Sequence, residues 1–311
     1  MSALANPAWP ALPLAQWQAT YATLHMWLQI VGKTRLALAP MQNHWWQVTL
    51  YVTPRGLTTS SIPFRDQAFA IDLDFITHEL AIRTSTGTAR ILPLGSQAVC
   101  DFYHDYTAAL DALGIEAKLM ARPVEIPTAI PFAEDREHAA YDPDAAHRCW
   151  RVLLHADRVL KRFASRFIGK ASPVHFFWGS FDLAYTRFSG RTAPRHPGGA
   201  PNCPDYVMVE AYSHECSSCG FWPGGGALTE PAFYAYAYPE PAGYAQSPIA
   251  PEGASYNAEL HEFILPYDAV RRAQEPDRAL LLFLQSAYEA AAELGNWDRG
   301  TLERAPAAAA P

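Results

Sequence analysis

Ile30-Val31-Gly32-Lys33 and Phe167-Ile168-Gly169-Lys170 are near-copies, and each closes an apolar stripe at helical spacing. Trp17, Tyr21, Leu24, Leu28 and Val31 precede the first; Trp150, Leu153, Leu160, Phe163 and Phe167 precede the second. Gly32 and Gly169 read as helix stops. Asp142-Pro143 reads as the second helix's start, an N-cap followed by Pro at the first helical position. After each helix comes an aromatic run that begins at a histidine, HWWQVTLYV from His44 and HFFWGSFDL from His175. Ile91-Leu92-Pro93 then matches Ile264-Leu265-Pro266, and helices from Phe102 to Gly114 and from Phe283 to Gly295 finish the two halves. Recurrence in the same order implies a diverged duplication. We expect an α+β fold of two related modules, each an antiparallel β-sheet flanked by helices, packed about a pseudo-twofold.

The first module spans residues 1–122 and the second 139–300, with an extended linker over 123–138 that includes PVEIPTAIPF from Pro123. A low-complexity tail at 301–311 is expected to be disordered. Strand patterns fall at Trp45–Thr53, Ala68–Phe75 and Leu80–Arg83, with a turn at Thr84–Thr88. In the second half they fall at Val174–Arg187, Tyr206–His214, Ala232–Tyr238 and Glu259–Leu265. The second half also carries the long segments Ser189–Pro204, Ser217–Pro231 and Pro239–Ser255, which read as ordered loops covering a site.

The chain has 311 residues, half of them hydrophobic, and a formal charge of −7. That is enough apolar content for a packed core and excludes a mostly disordered chain. An acidic balance argues against a phosphate-backbone binder. No apolar run approaches the ~20 residues a bilayer span needs, and the N-terminus lacks a basic n-region. Five cysteines in a chain of this length do not make a disulfide framework, so a cytoplasmic, reduced protein is expected.

The strings FIGKxSPVHFFWGSFDLAxTRFSGR (Phe167–Arg191), AYSHExSSCGFWPGGG (Ala211–Gly226) and EPAFYAYAYPEP (Glu230–Pro241) resemble those of a bacterial domain family of unknown function. The resemblance runs from Trp9 to Trp297. It implies no activity, cofactor or partner, so function has to come from residue chemistry.

The second half holds the densest set of polar groups in an apolar setting. Alternation from His175 puts His175, Phe177, Gly179, Phe181, Leu183, Tyr185 and Arg187 on one strand face. Phe176, Trp178, Ser180, Asp182, Ala184 and Thr186 fall on the other. Asp182 between two apolar residues needs a buried partner, and Arg187 or Arg191 are the obvious cations. His214 and Glu215 share a site only if the backbone turns there. A metal set would gather His44, His175 and His214 with Glu215 or Asp182 around a divalent zinc or iron ion, although no HExxH spacing exists. Cys216-Ser-Ser-Cys219 has CxxC spacing but lacks a second ligand pair and a following helix, so incidental thiols are the default. Phe221-Trp222 on the glycine run reads as a lid or pocket wall, and Tyr234, Tyr236 and Tyr238 as a row of phenols on one face. Gly179, Ala235 and Ala237 leave room between the large rings.

Two functions compete. One is a small-molecule enzyme, hydrolase or oxygenase in type, with His175, Asp182, His214 and Glu215 as acid–base groups or metal ligands. Arg187 would hold an anionic group, and Trp178, Trp222, Tyr234 and Tyr236 would wall the pocket. The other is a non-catalytic small-molecule binder with the same aromatic pocket and its polar residues merely satisfied. An interface protein is a third class. Convergence of the polar side chains on one cavity is what distinguishes catalysis.

Overall fold

A computed structural model describes residues 9–305 apart from Ala227. Helix α1 (Gln18–Leu38) leads, buried on every side from Thr23 to Arg35, as befits a helix at the centre of a large core. Six short strands follow: β1 (Tyr51–Val52), β2 (Gly56–Thr58), β3 (Ile62–Phe64), β4 (Gln67–Asp74), β5 (Glu79–Thr84) and β6 (Ala89–Pro93). They form an antiparallel sheet in the order β1-β2-β4-β5-β6, with β3 also on β4. Helix α2 (Val99–Ala112) closes this first module.

The second module repeats the plan. Helix α3 (Pro143–Ala164) starts where Asp142 accepts from the Asp144 and Ala145 amides, with Pro at the first helical position. Strands β7 (His175–Phe177) and β8 (Asp182–Thr192), helix α4 (Asp205–Ala211), and strands β9 (His214–Trp222), β10 (Ala232–Tyr238), β11 (Ser255–Asn257) and β12 (Glu262–Pro266) come next. The sheet runs β11-β12-β10-β9-β8-β7, all antiparallel. Helices α5 (Tyr267–Arg271), α6 (Pro276–Leu294) and α7 (Arg299–Leu302) finish it. The fold is therefore α+β with two antiparallel sheet modules flanked by helices. The sheets meet at their leading strands, where Leu50 and Phe176 exchange two backbone hydrogen bonds of 2.9 and 2.7 Å. This antiparallel bridge ties the two sheets together at their edges.

Several local expectations are corrected. Gly32 does not end a helix; α1 continues six residues further, and Gly32 is bare because the Trp178 ring lies on it, 2.2 Å from where a Cβ would stand. His44 begins no strand. Asn43–Val48 is a 3-10 segment in which His44 and Trp45 take left-handed backbone angles, so His44 and His175 are not equivalent strand starts. The run from His175 is a hairpin: Phe177 pairs with Asp182 across the turn Trp178–Phe181, with Phe181 at φ 60°. The four-residue turn resets the alternation, so Phe177 shares a face with Asp182. Tyr206–Ala211 is helical, and the segment read as a loop from Ser217 is the centre of β9. The linker is packed: the Gln29 side chain clamps both the N–H and the C=O of Val124 at 2.8 Å, and Phe132 is buried. The tail expected at 301 begins later, because Glu303 bridges Phe167; its last residues, 306–311, lie outside the described residues.

Helices α3 and α6 pack on one face of the second sheet. Leu183, Tyr185, Arg187, Phe221, Phe233, Ala235 and Phe263 point to that side, so Ala235 and Ala237 clear no space for a ligand. The other face looks toward α1 and the linker.

Candidate functional site

Cross-strand register builds this second face. Tyr234 stands opposite Gly220, which stands opposite Ala184; Tyr236 stands opposite Ser218, which stands opposite Thr186. Tyr234 is also paired with Ile264, and Glu262 lies two residues along on the same side. Gly220 is the enabling residue: a Cβ there would sit 2.5 Å from the Tyr234 hydroxyl oxygen. With that space clear, Tyr234 reaches across the sheet and donates to Asp182 Oδ2, while Ser180 donates to Oδ1. Asp182 thus finds hydroxyl partners rather than the arginine expected for it. The Trp222 indole N–H donates to Ser180 O at 3.1 Å and holds the turn.

Over this face lies a cavity of two lobes. The wider, about 750 Å³, is bounded by Tyr21, His25 and Met26 of α1, by Glu125–Thr128 of the linker and by Trp222 and Glu262. The narrower, about 240 Å³, is lined by Leu36, Trp45, Trp46, Val48, Phe177, Trp178 and Phe188. Glu125, Gly179, Ser180, Asp182, Tyr212, Tyr234 and Tyr236 belong to both. Four carboxyl groups, Glu125, Glu137, Asp182 and Glu262, and no Lys or Arg, line it among the described residues.

That imbalance sets the protonation states. Burial, then the Asp182 charge, pushes Glu125 up to about 7, with Lys33 pulling the other way. Burial and Asp182 likewise push Glu262 up to about 8. Asp182 is raised by burial against its two hydroxyl donors. A neutral carboxyl and a carboxylate in one cavity supply a proton donor and a proton acceptor together. Glu125 is held at φ 60°, and its N–H donates to Pro201 O at 2.8 Å. No hydrogen bond occupies its carboxyl or that of Glu262 among the described residues. On α1, His25 sets Nε2 against Trp178 O and Gly179 O at 3.1 and 2.9 Å. Both oxygens only accept, so Nε2 carries the proton and Nδ1 is a bare lone pair. Burial lowers His25 to about 4, which keeps it neutral.

Of the residues singled out from sequence, Trp178, Asp182, Trp222, Tyr234 and Tyr236 line this cavity. The others do not join them. His175 is fully buried between Trp46 and Phe177, and neither ring nitrogen has a partner. Arg187, on the opposite face, is caged by Phe163, Phe167, Tyr185 and Tyr288, and donates to Phe163 O. Glu215 pairs with Arg191 and accepts from Ser189. His214 lies edge-on to His44, 5.7 Å between ring centres. His44 does line the narrow lobe, yet both its nitrogens are engaged, Nδ1 by Ala211 O and Nε2 by Lys170.

Among the described residues no group of three or more His, Cys, Asp or Glu side chains is placed to hold a metal ion. The proposed His44, His175 and His214 set is not assembled. Cys216 and Cys219 are three residues apart on one strand and so face opposite sides of the sheet. Both are buried free thiols pushed up to about 12 by burial.

Glu125, Glu262 and His25 were missed from sequence. One signal was available for the first: Glu125 is the only charged residue in PVEIPTAIPF. Nothing local marks the other two, because the cavity joins α1, the linker and the second sheet.

The model of DUF5996, a family of unknown function, matches residues 9–304. The chain belongs to that family. The DUF5996 match takes in both modules, the linker and every cavity residue named above. No curated protein and no solved structure matches the chain.

Proposed function

We propose that the cavity is the active site of a small-molecule enzyme that works by proton transfer between carboxyl groups and a bound ligand. One observation carries this: Asp182 is buried in the wall common to both lobes, oriented by Ser180 and Tyr234, and the Glu125 and Glu262 carboxyls, without hydrogen bonds among the described residues, line the same cavity. Unequal carboxyls on the wall of one cavity suit general acid–base chemistry. His175, His214, Glu215 and Arg187 have no part in this site, and a metal is not needed for it. A small molecule fits the cavity's dimensions; the charge of −7 disfavours nucleic acid. Five free cysteines suit a reducing cytoplasm, and no helix among the described residues is long and apolar enough to cross a membrane.

The non-catalytic reading keeps one observation in its favour: each Asp182 oxygen already accepts a hydrogen bond. The two are separated by incubating the protein with a metabolite extract, identifying retained ligands by native mass spectrometry, and following them by NMR. An enzyme converts its ligand, and Asp182→Asn loses conversion by far more than it loses retention. Retention without conversion by the unaltered protein selects the binder. Trp222→Ala opens the turn at Ser180 and is expected to weaken retention at least tenfold while lowering Tm by only a few degrees. A large loss of Tm with unchanged retention would make Trp222 core packing alone.

A further inference from the structure

The cavity wall carries four carboxyl groups and, among the described residues, no Lys or Arg. His25 Nδ1 is a lone pair with no partner, on a side chain nine-tenths buried. Among the described residues the Glu125 and Glu262 carboxyls have none either. Three donors are spent within the wall: Ser180 and Tyr234 on Asp182, and Trp222 on Ser180 O. An anionic ligand would add charge to carboxyls that already repel one another. An ammonium group has three N–H donors and no acceptor, and aromatic faces such as Tyr21 and Trp222 also favour a cation. On the side away from the carboxyls the adjoining lobe presents Leu36, Trp46, Val48, Phe177 and Trp178.

We infer that the ligand is a primary organic amine, bound as its ammonium ion. Its N–H groups face His25 Nδ1 and the Glu125 and Asp182 carboxyls, and its aryl or alkyl tail occupies the apolar lobe. The inference rests on the cavity being the site proposed above and adds the class of molecule it takes. The acids hold the head group's charge, and His25, neutral by burial, supplies an acceptor that does not compete as a cation.

The test is a calorimetric titration of the full-length protein at pH 8. 2-Phenylethylamine and hexylamine are compared with the alcohols and the carboxylates bearing the same tails. An amine should bind at least about tenfold more tightly than its alcohol, the equivalent of ~1.4 kcal/mol, and the carboxylates most weakly. Glu125→Gln should erase that preference, bringing the amine and its alcohol to within about twofold of each other. Equal binding across the three head groups, or a preference for carboxylate, overturns the ammonium assignment and leaves the small-molecule site standing. If no amine binds the unaltered protein, the assignment also fails; metabolite retention then decides separately whether the site does.

Discussion

A Cβ on Gly179 would lie 2.1 Å from Oε1 of Glu125. The linker carboxyl therefore rests on bare backbone at the hairpin turn that orients Asp182. Gly179→Ala pushes the Glu125 carboxyl away, and because that is the end of a flexible side chain, little else has to move. We expect Tm to change by no more than a few degrees, and affinity for the cavity's ligand to fall roughly tenfold, on the order of 1.4 kcal/mol. Thermal unfolding and calorimetry on the same preparation check it. An unchanged affinity would mean that the position of Glu125 is immaterial.

Arg187 should behave in the opposite way. Its guanidinium centre is 3.5 Å from the Phe163 ring centre and 4.2 Å from that of Tyr288, on the face turned away from the cavity. Arg187→Met removes a desolvated cation–π cage worth on the order of 2 kcal/mol and leaves ligand binding intact. Denaturant unfolding gives the first quantity and ligand titration the second; a loss of binding without a loss of stability would return Arg187 to the site.

Stability should fall as pH rises through neutrality. Glu125 at about 7 and Glu262 at about 8 keep protons in the folded chain that the unfolded chain has already lost. Buried His25, at about 4, and His175, at about 3, act in the reverse sense, but only below the unfolded imidazole value of about 6.5. Lys33, lowered to about 8 by burial, acts above that value. The interval from about pH 6.5 to about 8 thus isolates the carboxyls. Glu262→Gln should flatten the decline there by on the order of 1 kcal/mol, the scale of one pKa unit. A decline of equal slope in the variant would exclude Glu262 as its source.

Much of the architecture was readable from side-chain periodicity. The Asp142-Pro143 start, the strand at Ala232–Tyr238 and the Ile-Leu-Pro strings at the ends of the last strands all report local preferences that the fold obeys. Errors arose where tertiary contact overrode local signal. Gly32 looks like a C-cap because glycine usually is one, but here it accommodates the Trp178 ring. The aromatic run from His175 alternates like one strand, yet the turn before Asp182 reverses its faces. The site was half legible for the same reason. Asp182, Trp178, Trp222, Tyr234 and Tyr236 sit in aromatic strings that stand out, whereas His25 and Glu262 acquire their roles only when α1 and β12 meet across the cavity. The histidines that looked functional, His175 and His214, sit in conspicuous strings without reaching it.

That unequal carboxyls share one acid–base site is tested most directly by NMR titration of the ¹³C-labelled carboxyl groups. Two glutamate signals should titrate near pH 7 and pH 8, one vanishing in Glu125→Gln and the other in Glu262→Gln, and both shifting down in Asp182→Asn. Titration of every glutamate below about pH 5, in the ordinary carboxyl range, would contradict it.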